Sequence, residues 1–360
     1  MHFDILGRNS ADVVLTVEGE SLEAAVIAAL NRGLSFRATS LAGLQLPRLA
    51  LTTPLCLEEC DLSGMNLTAA DLRGAQLGDS ELPGACLTRA NLAGANLSGT
   101  TLIGADLSGA DLSGADLSGA DLSGADLTRA ALHKCTAAGA DFTGANLTRA
   151  DLGESDLSRS NLRGAVLAGA DLRDSSAHGV SFIGADLSHA RLNGALLTQA
   201  RLCGADLSEA NLKKCNLTGA SLIGSRITSA RLTEADLTGA DLRGCDLSEA
   251  HLDKAVLEGA RLSGVDLSGA DLKQARLSVT ELDGSDLSSA KLSRADLSDS
   301  NLTNADLSRA DLRGAVLTGA DLSSADLSNT NLNKANFSGA NLSNTDFSGT
   351  HYKDDPPPGA

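Results

Sequence analysis

Leucine recurs at every fifth position over most of the chain, and a small residue, usually alanine, stands two positions before it. The stretch ADLSGADLSG, residues 105 to 114, contains this unit twice. An α-helix turns about 100° per residue and a straight strand alternates its faces, so neither can place such leucines on one side. A short strand followed by a three-residue corner can place all of them on one side. The pattern therefore predicts a chain that coils around an axis with Ala and Leu inside.

The five-residue frame continues without insertion from Leu57 to Tyr352, and only Ala137 and Ala177 replace the large inward residue. The large residues before Leu57 lie one position out of phase. We therefore expect one extra residue near Pro54.

A longer period lies within the first one. Every twentieth residue from Gly64 to Gly284 is glycine, which tolerates positive φ without steric cost. Twenty residues are four repeats, so the simplest explanation is a coil with four sides per turn; gene duplication would leave the same period. We name these sides by their first inward residues: the Leu57, Leu62, Leu67 and Leu72 sides.

Repeats such as Ala105-Asp106-Leu107-Ser108-Gly109 and Ala145-Asn146-Leu147-Thr148-Arg149 resemble the A-[D/N]-L-x-x pattern of the pentapeptide-repeat family. The resemblance covers residues 35–352. It implies an all-β fold, a right-handed quadrilateral β-helix, here of about 16 coils. The family includes acidic quinolone-resistance proteins that protect DNA gyrase. The resemblance therefore also implies a DNA mimic that binds a type II topoisomerase.

The two ends depart from the repeat. In residues 1–34, HFDIL and VVLTV read as two strands, and SLEAAVIAALNRG as a helix with Ser21 as N-cap and Gly33 as the stop. We interpret this small α+β segment as a cap over the open edge of the first coil, with a recruiting module as the alternative. It resembles the amino-terminal segment of prophage-type pentapeptide proteins. The charged, proline-rich tail, residues 353–360, is predicted to be disordered.

The chain carries a net charge of −17, distributed unevenly over the four predicted sides. Three sides are acidic, whereas the Leu72 side is slightly basic. The bases of that side alternate with acids, and aromatic residues make up only 2% of the chain, too few for base stacking. We interpret the Leu72 side as a solvated face of mutual ion pairs, and we expect no direct binding of nucleic acid.

One set of acidic residues occupies an equivalent position on the Leu67 side in successive coils. Its members are Asp186, Asp206, Asp246, Asp266, Asp286, Asp306, Asp326 and Asp346. Arg226 interrupts the set. Two interpretations remain open: each Asp bonds the backbone N–H groups of its own corner, or the carboxylates together imitate the phosphates of duplex DNA. Their spacing matches no calcium-binding motif that we know.

Catalytic chemistry is not indicated. The six histidines are scattered, and a coil filled with Leu and Ala leaves no concave, water-excluding pocket. We expect a protein that is not an enzyme and that holds no cofactor and no metal.

The last inward positions become aromatic, at Phe347 and Tyr352. They predict either a hydrophobic plug or a self-association surface that forms a homodimer through the C-terminal coil. Seven cysteines at irregular spacing predict no disulfide framework. Without a secretory signal or an apolar stretch of about 20 residues, a cytoplasmic protein with no membrane contact is expected.

Two functions fit these observations. The first is an acidic rod that acts as a protein-binding module, with a type II topoisomerase such as gyrase as the suggested partner. The alternative is a structural or interaction scaffold that has no effect on topoisomerases. A phage-derived scaffold is one form of this alternative.

Overall fold

The computed structural model describes residues 1–51 and 55–352. The position expected for the extra residue, near Pro54, and the tail predicted to be disordered, residues 353–360, lie outside these ranges. The chain divides into two compact units, Met1–Val180 and Ser181–Ala360, which we call unit 1 and unit 2.

Unit 1 begins with the predicted hairpin and helix. Strands β1 (His2–Leu6) and β2 (Val13–Glu18) pair antiparallel, and helix α1 spans Leu22–Asn31. Ser21 caps the helix, since its side chain accepts a hydrogen bond from the backbone N–H of Ala24 at 3.2 Å. Gly33 follows the helix with a φ of 72°, the left-handed conformation that commonly ends helices. The sequence predicted each of these elements correctly.

The rest of unit 1 is a stack of coils joined by parallel bridges. Asp106, for example, bridges Cys86 on one side and Asp126 on the other. These partners are 20 residues apart, so four repeats complete one turn. For residues before position 52, the bridge partners are 21 positions apart, as Ser40 and Asp61 are.

Each corner of the coil is a tight turn. The N–H of Ala110 donates to the carbonyl oxygen of Leu107 at 3.0 Å, and Gly109 within the turn has a φ of 63°. A side chain costs roughly 1–2 kcal/mol in that conformation, which explains why glycine recurs at the corners.

The inward residues fill the interior as predicted. Leu107 and Leu112 are fully buried, Ala105 and Ala110 are 1% exposed, and the small residue Ala137 is fully buried as well. Burying one leucine contributes about 1.5–3 kcal/mol. Because each coil contacts its neighbours in the stack, stability is approximately a sum over adjacent repeats.

Unit 2 repeats the same geometry in all its described coils. Its bridges again join residues 20 apart, as between Asp246 and Asp266, and its inward leucines are again buried. Both units are therefore β-helix solenoids with four repeats per turn. No helix in the described part of the chain has both the length and the apolar character needed to cross a membrane.

Candidate protein-binding site

The eight aspartates singled out from the sequence all lie in unit 2 and form what we call the acidic row. Each occupies the bridging position of its coil, and adjacent members, such as Asp286 and Asp306, are direct bridge partners. Arg226 is inserted between Asp206 and Asp246 and bridges both. The structure therefore brings the predicted site residues together on one side of one unit.

The equivalent positions of unit 1 are mostly not acidic. The equivalent positions there hold Asn66, Cys86, Asp106, Asp126, Asn146 and Val166. Only two of these six residues are acidic, so a continuous array of carboxylates is a property of unit 2.

Every member of the acidic row bonds the backbone of its own corner. The Oδ1 atom accepts the N–H of the residue two positions later, at distances between 2.7 and 3.0 Å. Asparagine makes the same bond elsewhere in unit 2, since Asn216 Oδ1 accepts from the N–H of Thr218 at 3.0 Å. This geometry is the corner bond of the first interpretation, and an amide can supply it as well as a carboxylate.

The second carboxylate oxygen distinguishes Asp from Asn along the row. Asp246 Oδ2 accepts from the Thr228 hydroxyl at 2.9 Å. At Asp266, Asp286, Asp306 and Asp326, however, no described residue bonds to Oδ2, and these four side chains are only half-buried. Four Oδ2 atoms in successive coils thus have no bonding partner among the described residues.

Arg226 shows how a cation binds to this row. Its guanidinium pairs with Asp206, with the Nε atom donating to Oδ1 at 3.2 Å. The hydrogen bonding of Arg226, the largest effect, together with hydrogen bonds from Ser208, lowers the pKa of Asp206 to about 2, despite the opposing effect of partial burial.

Asp246, on the other side of Arg226, also has a lowered pKa. Burial raises its pKa, but hydrogen bonds from Ser248 and Thr228, together with the Arg226 charge, more than compensate and lower the pKa below its ordinary value.

The row is electrostatically unfavourable without a partner. Bridged neighbours in adjacent parallel strands lie about 4.8 Å apart. At that separation two carboxylates repel each other by roughly 1 kcal/mol in water. The corner N–H bonds offset part of this repulsion, and a cationic surface placed along the row would relieve more of it.

The Leu72 side has the predicted mutual ion pairs. Several bases bond the aspartate two positions earlier: Arg73 with Asp71, Arg173 with Asp171, Lys273 with Asp271, and Arg313 with Asp311. These pairs neutralise much of the basic side, which is why the acidic row is the stronger of the two charged features.

The C-terminal aromatics have different environments. Phe347 is half-buried, and its ring meets the ring of Phe337 edge to face, with centroids 6.4 Å apart and an angle of 80° between the planes. Tyr352 is 41% exposed. Phe347 therefore packs within its own coil, and Tyr352 is the more accessible of the two residues predicted to mediate self-association.

The sequence did not predict one contact, between the N-terminal hairpin and the coil. Arg8, in the turn after β1, donates from one terminal nitrogen to the carbonyl oxygens of Glu59 at 3.0 Å and Asp79 at 2.9 Å. Its other terminal nitrogen pairs with the Glu81 carboxylate at 2.5 Å. This side chain fastens the hairpin to three repeats of the coil, and no local pattern around Arg8 predicts it.

In residues 1–51 and 55–352, no group of three His, Cys, Asp or Glu side chains is arranged to hold a metal ion. Cys60, Cys86, Cys135, Cys203 and Cys245 are free cysteines.

Comparison with known proteins agrees with the repeat pattern. The family model for pentapeptide repeats matches eight times, over residues 56–89, 85–124, 125–164, 160–199, 200–239, 240–278, 280–319 and 320–351. No curated protein gives a significant match.

Among solved structures, HetL of the cyanobacterium Nostoc, a pentapeptide repeat protein involved in heterocyst differentiation regulation, is 33% identical. The match covers 62% of this chain and 88% of HetL, with a TM-score of 0.26. Full-length QnrB1, a plasmid-mediated fluoroquinolone resistance protein, is 22% identical over 54% of this chain and 91% of its own, with a TM-score of 0.36. A pentapeptide repeat protein of the Arabidopsis thaliana thylakoid lumen is 38% identical over 28% of this chain and 67% of its own, with a TM-score of 0.18. Because the family model matches most of the sequence, the chain belongs to the pentapeptide-repeat family.

Proposed function

We propose that this protein is a non-enzymatic binding module of the cytoplasm whose acidic row docks on a basic surface of a protein partner. The partner to test first is the DNA-binding groove of a type II topoisomerase such as gyrase, the target class suggested by the sequence resemblance. The observation that carries the proposal is the run of half-buried carboxylates from Asp266 to Asp326, whose Oδ2 atoms have no partner among the described residues.

The proposal rests on a difference between what the fold needs and what the sequence supplies. The corner needs one acceptor, which Asn216 provides as an amide. The acidic row nevertheless places a carboxylate at six successive coils, from Asp246 to Asp346. Such an array repels itself, so a cationic partner along the row would bind favourably and would compete with DNA for the same groove.

A scaffold without topoisomerase activity is the alternative function. It is favoured by the corner bond that every row aspartate makes, since that bond gives each residue a structural role. The binding function requires the negative charge of the row, whereas the scaffold function requires only the corner bonds.

A variant that removes the negative charges of the row distinguishes the binding function from the scaffold function. In the row variant, Asp246, Asp266, Asp286, Asp306, Asp326 and Asp346 are replaced by Asn, which keeps the corner acceptor. The matched control replaces six aspartates that make the same corner bond outside the row: Asp111, Asp116, Asp121, Asp141, Asp236 and Asp296. Both variants lose six negative charges.

Inhibition of gyrase supercoiling at low salt is the readout. We expect inhibition by the native protein and by the control variant, and a loss of at least tenfold in potency for the row variant. If both variants inhibit equally, the position of the charges is irrelevant and the acidic row is not the binding surface. If the native protein has no effect, gyrase is not the partner and the scaffold function remains.

We also propose that residues 1–34 form a domain that caps the solenoid of residues 35–352. The Leu6 carbonyl oxygen accepts the N–H of Ser40 at 2.9 Å, and Arg8 reaches across the first coils, so the hairpin extends their hydrogen bonding. Removal of residues 1–34 should expose a pairing edge and cause association that increases with concentration. A truncated protein that stays monomeric in light scattering would contradict this role.

A homodimer through the C-terminal coil is a separate proposal, supported by the exposure of Tyr352. Tyr352→Ser should shift the native protein from dimer to monomer in sedimentation experiments. A native protein that is already monomeric at high concentration would show that this surface does not associate.

A further inference from the structure

The Leu67 side carries opposite charge in the two units. Its repeats between residues 65 and 169, in unit 1, hold three arginines and only two aspartates. Its repeats between residues 185 and 349, in unit 2, hold two arginines and ten acidic residues, eight of them in the acidic row. The same side of the chain is therefore cationic in one unit and strongly anionic in the other.

The three arginines of unit 1 line an open groove, which we call the arginine groove. Arg89, Arg129 and Arg149 occupy the same corner of their coils, and Gly109 is the corner residue between the first two. The groove has a volume of about 540 Å³, and its other lining residues are Ser108 and four threonines. The lining thus has three positive charges and no negative one.

The arginines of this groove lack partners for a local reason. Each stands three positions after the bridging residue of its own repeat, and for Arg89 and Arg149 that residue is Cys86 or Asn146, neither of which has a carboxylate. None of the three arginines forms an ion pair with any residue that the structure describes. Several bases of the Leu72 side, in contrast, pair with the aspartate two positions earlier.

The acidic row has the spacing that these arginines require. Parallel bridges set the distance between coils in both units, so cations and carboxylates both repeat at about 4.8 Å. The arginines occupy three of four successive coils, and the row presents a carboxylate in six successive coils, from Asp246 to Asp346. All three arginines can therefore face a carboxylate at once, in either direction along the row.

The row is open to long side chains from another molecule near its centre. The corner residues beside Asp266 and Asp286 are the small residues Gly269 and Ser289, and the Oδ2 atoms of both aspartates have no partner among the described residues. Arg226 already shows that a guanidinium pairs with a carboxylate of this row. The arginine groove carries the same chemical group.

We propose that the arginine groove of one copy of this protein binds the acidic row of a second copy. The inference rests on the proposed function in one respect, namely that the row is a binding surface, and it names the chain itself as an occupant. Exposed ion pairs are individually weak and sensitive to salt. The contact therefore forms at low ionic strength and high protein concentration, unlike an apolar contact through Tyr352.

Sedimentation velocity on the full chain tests the proposal, with Tyr352→Ser present throughout so that the C-terminal coil does not contribute. Charges are screened beyond about 30 Å at 0.01 M salt and beyond about 8 Å at 0.15 M salt. We expect association that increases with protein concentration at the lower salt, and monomers at the higher salt. Monomers at both salt concentrations, or equal association at both, would overturn the proposal.

An arginine variant and a matched control locate the cationic half of the contact. The arginine variant replaces Arg89, Arg129 and Arg149 by Gly, at corners with φ values of 55°, 58° and 57°, where glycine is favoured. The control makes the same replacement at three positive-φ corners of the Leu72 side: Lys254, Arg294 and Lys334. Both proteins lose three positive charges. Association should be at least tenfold weaker in the arginine variant than in the control, and equal association in the two would overturn the proposal.

Mixing two variants tests whether the two surfaces bind each other. The arginine variant keeps the acidic row, and the row variant described above keeps the arginine groove. Neither should associate alone at low salt, whereas an equimolar mixture should form a heterodimer, because each protein supplies the surface that the other lacks. A mixture that stays monomeric would show that the groove does not bind the row.

The sedimentation results and the gyrase results are independent of each other. A native protein that inhibits gyrase but never associates with itself would overturn this inference and leave the proposed function standing. A native protein that associates through the two surfaces but has no effect on gyrase would support this inference and exclude gyrase as the partner.

Discussion

Arg226 stands in the middle of the acidic row and donates from Nε to Asp206 Oδ1 at 3.2 Å. It is the one base among the nine bridging residues from Asp186 to Asp346. Its guanidinium is the largest of the effects that lower the pKa of Asp206 to about 2, from an ordinary value of 3.8. The pair shows within one molecule what a cationic surface would do to the rest of the row.

The Arg226–Asp206 pair predicts a specific acid dependence. A carboxyl whose pKa is depressed by folding stabilises the fold above its unfolded value and loses that contribution as pH falls towards its folded value. Arg226→Gln should therefore lower the urea midpoint at pH 6, and the difference from the native protein should vanish between about pH 4 and pH 2. The effect will be small because Arg226 is exposed. A difference that is constant from pH 6 to pH 2 would show that the pair is not its cause.

Val279 is predicted to be a strained corner. It has a φ of 58° and is 64% exposed, whereas the equivalent corner one coil earlier is Gly259. Val279→Gly should stabilise the fold by about 1 kcal/mol, since relief of roughly 1–2 kcal/mol of strain exceeds the added entropy of the unfolded chain. The midpoint of urea unfolding measures the gain. Gly259→Val should have the opposite effect, and a stabilising Gly259→Val would refute the strain.

Ala137 and Phe142 are predicted to compensate each other in the core of unit 1. Both are fully buried, at inward positions that leucine usually fills, on adjacent sides of the coil. Phe142→Leu should cost about 1 kcal/mol or more through an unfilled space, and Ala137→Leu should overpack. The double variant should be more stable than the sum of the single effects predicts, as a double-mutant cycle would measure. Strictly additive effects would mean that the two sites do not share volume.

The cysteines should differ in reactivity. Hydrogen bonds with Thr68 and Thr88, at Sγ–Oγ1 distances of 3.2 and 3.4 Å, lower the pKa of the half-buried Cys86. Burial raises the pKa of Cys135 to about 12. Because the thiolate is the reactive form, Cys86 should be alkylated at pH 8 while Cys135 stays unmodified until the protein unfolds. Mass spectrometry after a short iodoacetamide pulse checks this, and equal labelling of both sites would contradict it.

The period of the sequence predicted the solenoid because each repeat places the same residue types in the same environment. Leu107 points inward and Gly109 adopts positive φ for local reasons that the repeat unit already contains. The same logic predicted that the acidic row forms one line.

Pairing between coils was less predictable, because it depends on where long side chains reach. The sequence places Arg226 between Asp206 and Asp246, but only the structure shows that its guanidinium pairs with Asp206, one coil earlier. Arg8 contacts residues more than fifty positions away. Whether such a side chain is paired or free is decided by three-dimensional neighbours that the five-residue period does not specify.

The central claim is that the charges of the acidic row, in their positions, bind a basic protein surface. Its most direct test is the affinity of purified gyrase for the row variant and for the control variant as the salt concentration increases. Exposed charges are screened within about 8 Å at physiological ionic strength, so binding through the row should weaken steeply with salt. We expect a steep salt dependence for the native protein and the control variant, and a weak, nearly flat one for the row variant. Identical affinities and slopes for the two variants would contradict the claim.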